Sequence, residues 1–301
     1  MTGLTDYITQ CPWEDVFTVW YVVVDDAMQQ LEQEGVVNRQ RGPAPRFSDS
    51  EVVTIALICD TFFHGHEELG LAFVRQHYLP LFPYLLENSR FNRRRRALGV
   101  VTEEIRRRLS RQLVAPTDTL RLVDTAPIPV CTYMRGNRCQ TVRGAEYCGM
   151  IPSKRAKLFG FRLHLTISWD LVVEDWTLAP ASFRETTVLE SLLVERRGLT
   201  VIGDQGFQSA RQEAWLLESR AMVVQTAQRR TDRVQRPQVV QRLLNRARRR
   251  IETALSVLAT VFHLERPGSR SLSGLISRIA TRILAYTLSF VAAKTLLPQE
   301  N

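Results

Sequence analysis

The sequence predicts a mixed α/β (α+β) chain: a mixed sheet flanked by helices, preceded by an all-helical N-terminal region. Two observations carry this reading. From residue 1 to about 115 the apolar residues recur at helical spacing, whereas from Pro116 onward short apolar runs and one strictly alternating run take over. In that second part the strands come first as a meander and then alternate with helices, an order that favours a mixed sheet with helices packed on it. The expected division is therefore 1–115, helical, and 116–301, the sheet with its C-terminal helices.

Taken in order, a long helix is expected over 13–34, opening on Trp13, Glu14 and Asp15 and stopping at Gly35. Residues 38–47, NRQRGPAPRF, read as a loop. Ser48 and Glu51 have the spacing of a capping box ahead of an apolar run. A further helix is expected over 67–77, and another from about 89 to 113. TLRLVD (119–124) is a short apolar strand. FGFRLHLTIS (159–168) sets Phe159, Phe161, Leu163, Leu165 and Ile167 on one face and Arg162, His164 and Thr166 on the other, the pattern of a half-exposed strand. Residues 171–179 pair with it after a turn at Trp169-Asp170. Helices at 187–198 and 212–219 alternate with buried strands at 199–204 and 221–226, and two long helices close the chain, the first carrying Glu252 and the second running from about 271 to 297.

Composition narrows the function. The 301 residues are 45% hydrophobic and 24% charged, ordinary for a globular protein with a sizeable core. The net charge is +9, with arginine dominating over lysine, which favours a polyanionic partner. The five cysteines, Cys11, Cys59, Cys131, Cys139 and Cys148, are odd in number, contain no CxxC and match no zinc spacing, so reduced thiols in a cytosolic setting are expected. The N-terminus lacks a basic region followed by an apolar run, and ILAYTLSFVAA (283–293) is too short to span a bilayer. A cytoplasmic protein with no membrane partner is expected.

Three carboxylates stand out. Asp124 is read as closing one apolar strand, and Asp204, with Gly203 and Gly206 beside it, as closing another. Carboxylates at strand C-termini sit where sheets collect ligands, although a turn aspartate is the commoner role for each alone. On the long helix, at about 100° per residue, Ile251, Leu255, Leu258 and Phe262 form the core stripe, and Asn245, Arg248, Glu252 and Ala259 cluster on its flank. Glu252 is therefore expected at the rim of the buried face, not on the outer surface, with Arg248 one turn away; a plain Arg–Glu helix pair is the simpler alternative. Oxygen donors from two strands and a helix suit Mg²⁺. His64 and His66, the only close histidine pair, are read as structural or exposed.

The order Asp124, Asp204, Glu252 resembles the DDE triad of bacterial insertion-sequence transposases, and HYLPLFPYLLENSRFNRRRR (77–96), LVDTAPIPVC (122–131), EYCGMIPSKRAKLFGFRLHL (146–165), GDQGF (203–207), RRRIETALSVLATVFHLER (248–266) and ISRIATRILAYTLSF (276–290) resemble the insertion-sequence 982 family, related to the 4 and 5 groups. The family pattern around the glutamate is Tyr or Asn, two residues, Arg, three residues, Glu, six residues, Lys or Arg; Asn245, Arg248 and Glu252 match it and Ala259 departs from it. The resemblance implies an RNase H-like core, with Asp124, Asp204 and Glu252 both catalytic and metal-ligating toward two Mg²⁺ ions, Mn²⁺ being able to substitute. It implies cleavage at terminal inverted repeats and strand transfer by a 3′-hydroxyl, with double-stranded DNA (terminal repeats and target) as partner. At least a homodimer in the synaptic complex and a cytoplasmic, nucleoid-associated setting in bacteria follow from it too.

Basic residues fit such a substrate. Between Arg229 and Arg250 lie nine arginines and one acid, Asp232. Arg93, Arg94, Arg95 and Arg96, with Arg106 to Arg108, are expected to give the helical region a basic face, and Lys154, Arg155 and Lys157, with Asn245 and Arg248, to meet DNA near the triad. Two other readings stand beside the transposase: an RNase H-like nuclease that cuts without joining, and a catalytically decayed DNA-binding protein.

Overall fold

The computed structural model describes residues 2–37, 45–151, 155–226 and 237–298. Its contacts gather into two compact units, one of residues 1–110 with 258–301 and one of residues 111–257.

The first unit is helical: α1 (Tyr7–Gln10), α2 (Trp13–Gln33), α3 (Asp49–Phe62), α4 (Glu67–His77), α5 (Asn88–Ala97), most of α6 (Gly99–Leu113), and the closing helix α10 (Leu272–Leu296). The capping box forms: the Glu51 N–H donates to Ser48 Oγ at 3.0 Å, and the Ser48 N–H donates to the Glu51 carboxylate. Because α3 is apolar almost all round, it is buried from Val52 to Thr61 between α2, α4 and α10. Trp13, Phe17 and Trp20 of α2 pack on Phe62, with ring centroids 4.6 to 5.9 Å apart. The single helix expected over 89–113 is two helices, broken at Leu98, where Gly99 begins α6 close against Ser277.

The sequence reading attached the closing helix to the sheet. In the structure α10 packs with α2, α3 and α5. Its 25 residues are long and apolar enough by length and composition to cross a membrane, so the shorter apolar run in the sequence understated it, but 78% of its most apolar window is buried. That is the signature of a core helix.

The second unit holds β1 (Leu120–Cys131), β2 (Cys148–Ile151), β3 (Ala156–Ser168), β4 (Val173–Pro180), β5 (Thr200–Gly203) and β6 (Val223–Thr226), with helices α7 (Glu185–Leu192), α8 (Ala210–Arg220) and the larger part of α9 (Gln238–Thr260). The sheet runs β2-β3-β1-β5-β6, with β4 also paired to β3. β1, β3 and β4 are antiparallel, and β5 and β6 run parallel to β1. An antiparallel meander extended by parallel strands through helical crossovers is the RNase H-like arrangement.

Two expectations need correcting. β1 does not stop at residue 124. It continues to Cys131 against β3 while its parallel pairing with β5 ends at Leu122, so Pro127 and Pro129, which lack an N–H, lie beyond the β5-paired stretch. β3 is not half-exposed: His164 and Thr166 are 0% and 1% exposed, because α7 packs on this central strand. Its alternation separates two buried faces.

Candidate active site

The parallel pairing of β1 with β5 positions two carboxylates. Its last register pair is Leu122 with Ile202; Asp124 lies two residues past that point and Asp204 directly follows Gly203, the end of β5. Both aspartates therefore sit at the C-terminal end of the β1–β5 pair, although Asp124 lies within β1 and does not close it. Asp124 accepts the Thr125 N–H at 2.7 Å, and Asp204 accepts the Gly206 N–H at 2.8 Å, capping a short 3-10 turn, Gln205–Phe207. Gly203 is required by packing: a Cβ there would stand 2.8 Å from Val123 Cγ2 and 2.9 Å from the Phe207 ring.

Glu252 comes from α9, which the β3–β4 turn anchors. The Arg250 guanidinium donates twice to the Trp169 carbonyl, at 3.0 and 2.6 Å, and lies 4.8 Å above the Trp169 ring; Arg246 lies 5.9 Å from the same ring. Ile251 and Ala254 are buried on either side of Glu252. The Glu252 side chain itself is 57% exposed and accepts from Arg248 Nη2 at 3.4 Å. It was expected at the rim and off the outer surface; it is more open than that, because positions 252 and 253 both turn outward between the buried Ile251 and Ala254.

Asp124, Asp204, Glu252 and Arg248 line one small cavity of about 40 Å³, floored by Val123, Ile202, Gly203, Ala247 and Ile251. The same four line a wider groove of about 330 Å³, to which Thr125, Arg162 and Glu185 contribute. Burial, followed by the charges of Asp204, Glu185 and Glu252, pushes the Asp124 carboxyl up to about 7, against the opposing Thr125 N–H bond.

Glu185 was not singled out in the sequence. It opens α7, accepts from Arg162 Nη1 at 2.8 Å and Thr125 Oγ1 at 3.3 Å, and is raised above the usual carboxylate range by burial and by Asp204. A Cβ on Gly206 would overlap its carboxylate, so that glycine lets Glu185 approach Asp204. The one available signal was an acid at the first turn of the helix after β4.

The donor set fits a hard divalent cation in chemistry: it offers only oxygens, on carboxylates whose mutual repulsion a cation would relieve. In spacing the set stands open, since no group of three or more His, Cys, Asp or Glu side chains among the described residues is gathered closely enough to hold a metal ion. His64 and His263 stack at 3.9 Å without a third such partner.

The basic residues divide. Asn245 is exposed on α9 and accepts from Gln241 at 3.4 Å. Arg155 is exposed, and Lys157 Nζ stands 5.1 Å over the Tyr133 ring. Lys154 lies outside the described residues, as do Arg229, Arg230, Asp232, Arg233 and Arg236. In the helical unit Arg93 and Arg96 are exposed, whereas Arg94 pairs with Asp49, and Arg95, 3% exposed, pairs with Asp60 and Glu67. Arg106 is fully buried against Glu103, and Arg107 and Arg108 pair with acids as well. The continuous basic face expected from these runs therefore does not form. One arginine of each run, Arg95 and Arg106, lies on an inward helical face, where a cation is stable only when paired.

A family model described as a transposase DDE domain matches residues 114–272. No curated protein and no solved structure matches the chain.

Proposed function

The chain belongs to the DDE transposase family, and from that premise we propose that it cuts DNA at the terminal inverted repeats of an insertion element of the 982 group and joins the freed 3′-hydroxyl to target DNA. Transposition is the family's activity, and DNA its substrate. The observation that carries the finer reading is that Asp124, Asp204 and Glu252, brought from β1, the end of β5 and α9, line one cavity inside the matched region.

Two Mg²⁺ ions, or Mn²⁺ in their place, would be held by these three carboxylates and supply the charge that activates a water or 3′-hydroxyl and steadies the leaving oxygen. The chain's own residues divide the remaining work. Asp124 is the buried, fixed donor, and Asp204 is preset by its bond to the Gly206 N–H. Glu252, more exposed, is the arm that meets them when DNA enters the groove, while Arg248 beside it takes a substrate phosphate. Arg162 and Thr125 hold Glu185 at the groove wall, where it keeps Arg162 oriented. Residues 1–115 contribute to gripping the terminal repeats, and a dimer brings two element ends together.

The test is a cleavage and strand-transfer assay on DNA carrying the element ends, comparing the wild type with Asp124→Asn, Asp204→Asn and Glu252→Gln. Each variant should lose both activities by more than the roughly 10–100-fold typical of losing an outer-shell metal partner, with DNA binding and melting temperature retained. Cleavage without joining would make the protein a nuclease. Retained cleavage by Glu252→Gln would remove that residue from the site.

A further inference from the structure

The helical unit contains a second, larger groove that the chemistry above does not use. It is about 720 Å³ in volume and is bordered by the start of α4, the start of α5 and the approach to α10. Three exposed guanidiniums line it: Arg93 and Arg96 from α5, and Arg270 just ahead of α10. Among the described residues none of the three forms an ion pair within 4 Å; Arg96 donates weakly to the Asn92 carbonyl at 3.4 Å. The exposed Glu68 is the one acid on the rim that is not neutralised by the network below.

The floor of this groove is charged as well. Gly65 and Arg278 line it, and the Gly65 carbonyl accepts from Arg278 Nη1 at 2.8 Å. With Arg278, which reaches inward from the floor, the buried Arg95 and Arg282 make a network of three arginines against two carboxylates, Asp60 and Glu67. Arg95 pairs with Asp60 and Glu67, Arg278 pairs with Glu67 at 2.8 Å, and Arg282 donates to the His263 carbonyl. Arg282 is 0% exposed, with Nε and Nη2 lacking a hydrogen-bond partner, and a Cβ on Gly65 would stand only 3.1 Å from its Nη2. One positive charge of the network is thus uncompensated, directly behind the groove floor. Burial lowers the Arg282 guanidinium to about 10, which leaves it charged at neutral pH. A low-dielectric wall carrying net positive charge focuses its field into the adjoining cleft, and an anion seated there would complete the charge balance below.

We propose that this groove is a seat for the phosphodiester backbone of duplex DNA, assembled from two separated stretches of chain, 65–96 and 270–278. The assignment rests on the reading of this protein as a DNA-acting transposase and adds to it where, away from the carboxylates, the duplex is held. Arg93, Arg96 and Arg270 contact phosphates; the buried arginines supply field and shape. Phosphate contacts position the duplex and carry no sequence information, so the groove binds any duplex and leaves recognition of the element ends to other contacts.

The experiment measures the affinity of the full-length chain for a random-sequence duplex by fluorescence anisotropy between low and moderate salt. It compares the wild type with the triple variant R93A/R96A/R270A, the charge-conserving R93K/R96K/R270K, and a charge-matched control outside the groove, R138A/R143A/R197A. Each phosphate contact adds about 0.9 to the salt slope. The alanine triple is expected to lower that slope by about 2 to 3 and the affinity by at least about tenfold, with the lysine triple and the control near wild type. An alanine triple that binds like the wild type, or a control that loses as much, overturns the groove while leaving DNA as the substrate. A wild type with no salt-dependent affinity for duplex overturns both.

Discussion

Asp124 and His164 face each other's elements across neighbouring registers of β1 and β3, and burial acts on them in opposite directions. It raises the carboxyl toward its neutral form and lowers the imidazole to about 4, Arg162 adding to the latter. His164 is fully buried, with neither ring nitrogen hydrogen-bonded among the described residues. Its neutral form is therefore the folded form. The unfolded chain takes up the proton near pH 6.5 and the folded chain only near 4, so stability declines as pH falls through that window and is fully present above it. The fall is on the order of 3 kcal/mol. Denaturant melts of wild type and His164→Leu at pH 7 and pH 4.5 check this: the variant should lose that part of the pH dependence. Single residues were unevenly legible in the sequence. Asp124 and Asp204 stood out as candidates because an apolar run leads up to each; the sequence set both at strand ends, but only Asp204 directly follows its strand, Asp124 lying within β1. Glu185 was missed because the proximity that gives it a role depends on Gly206 and Arg162, which are distant from it along the chain.

At the scale of elements, α9 shows what periodicity reveals and what it conceals. Its stripe placed Ile251, Leu258 and Phe262 inside, as they are, but Leu255 is only half-buried while Ala254 is fully so, and the arginine run looked uniform. In the structure Arg246 and Arg250 are engaged with Trp169, and this contact sets where α9, and so Glu252, meets the sheet. Arg250→Met should lower cleavage about 10–100-fold through misplacement of the carboxylate, with a change of only about 1 kcal/mol in stability; steady-state cleavage rates beside thermal melts separate the two effects. The run Arg93–Arg96 conceals a similar split. Arg95→Met removes the guanidinium that pairs with both Asp60 and Glu67, leaving Asp60 in the interior with only the longer 3.9 Å contact to Arg278, and should destabilise the helical unit by about 3–5 kcal/mol, whereas Arg93→Ala should leave the melting temperature almost unchanged. The boundaries of α3 and α4 were legible because the capping box and the acidic first turn are local signals. The continuation of β1 past Asp124 was not, because only its pairing with β3 keeps two prolines in a strand.

For the whole molecule, the sequence read forward as helices followed by a sheet, and the fold class follows that order. The contacts do not: residues 258–301 return to the helices of the first 110. Linear order could not show this, since an apolar helix such as α10 states that it must be surrounded but not by what. The matched family region, 114–272, holds all three carboxylates that we propose jointly bind the cations of the reaction. The most direct measurement is anomalous diffraction from crystals of the chain bound to an element-end duplex and soaked in Mn²⁺. Metal peaks bonded to Asp124 and Asp204, with Glu252 drawn in to direct coordination, at the roughly 2.0–2.1 Å seen for Mg²⁺ sites, are the expected result. Peaks elsewhere, or Glu252 still paired with Arg248 and away from any metal, would contradict it.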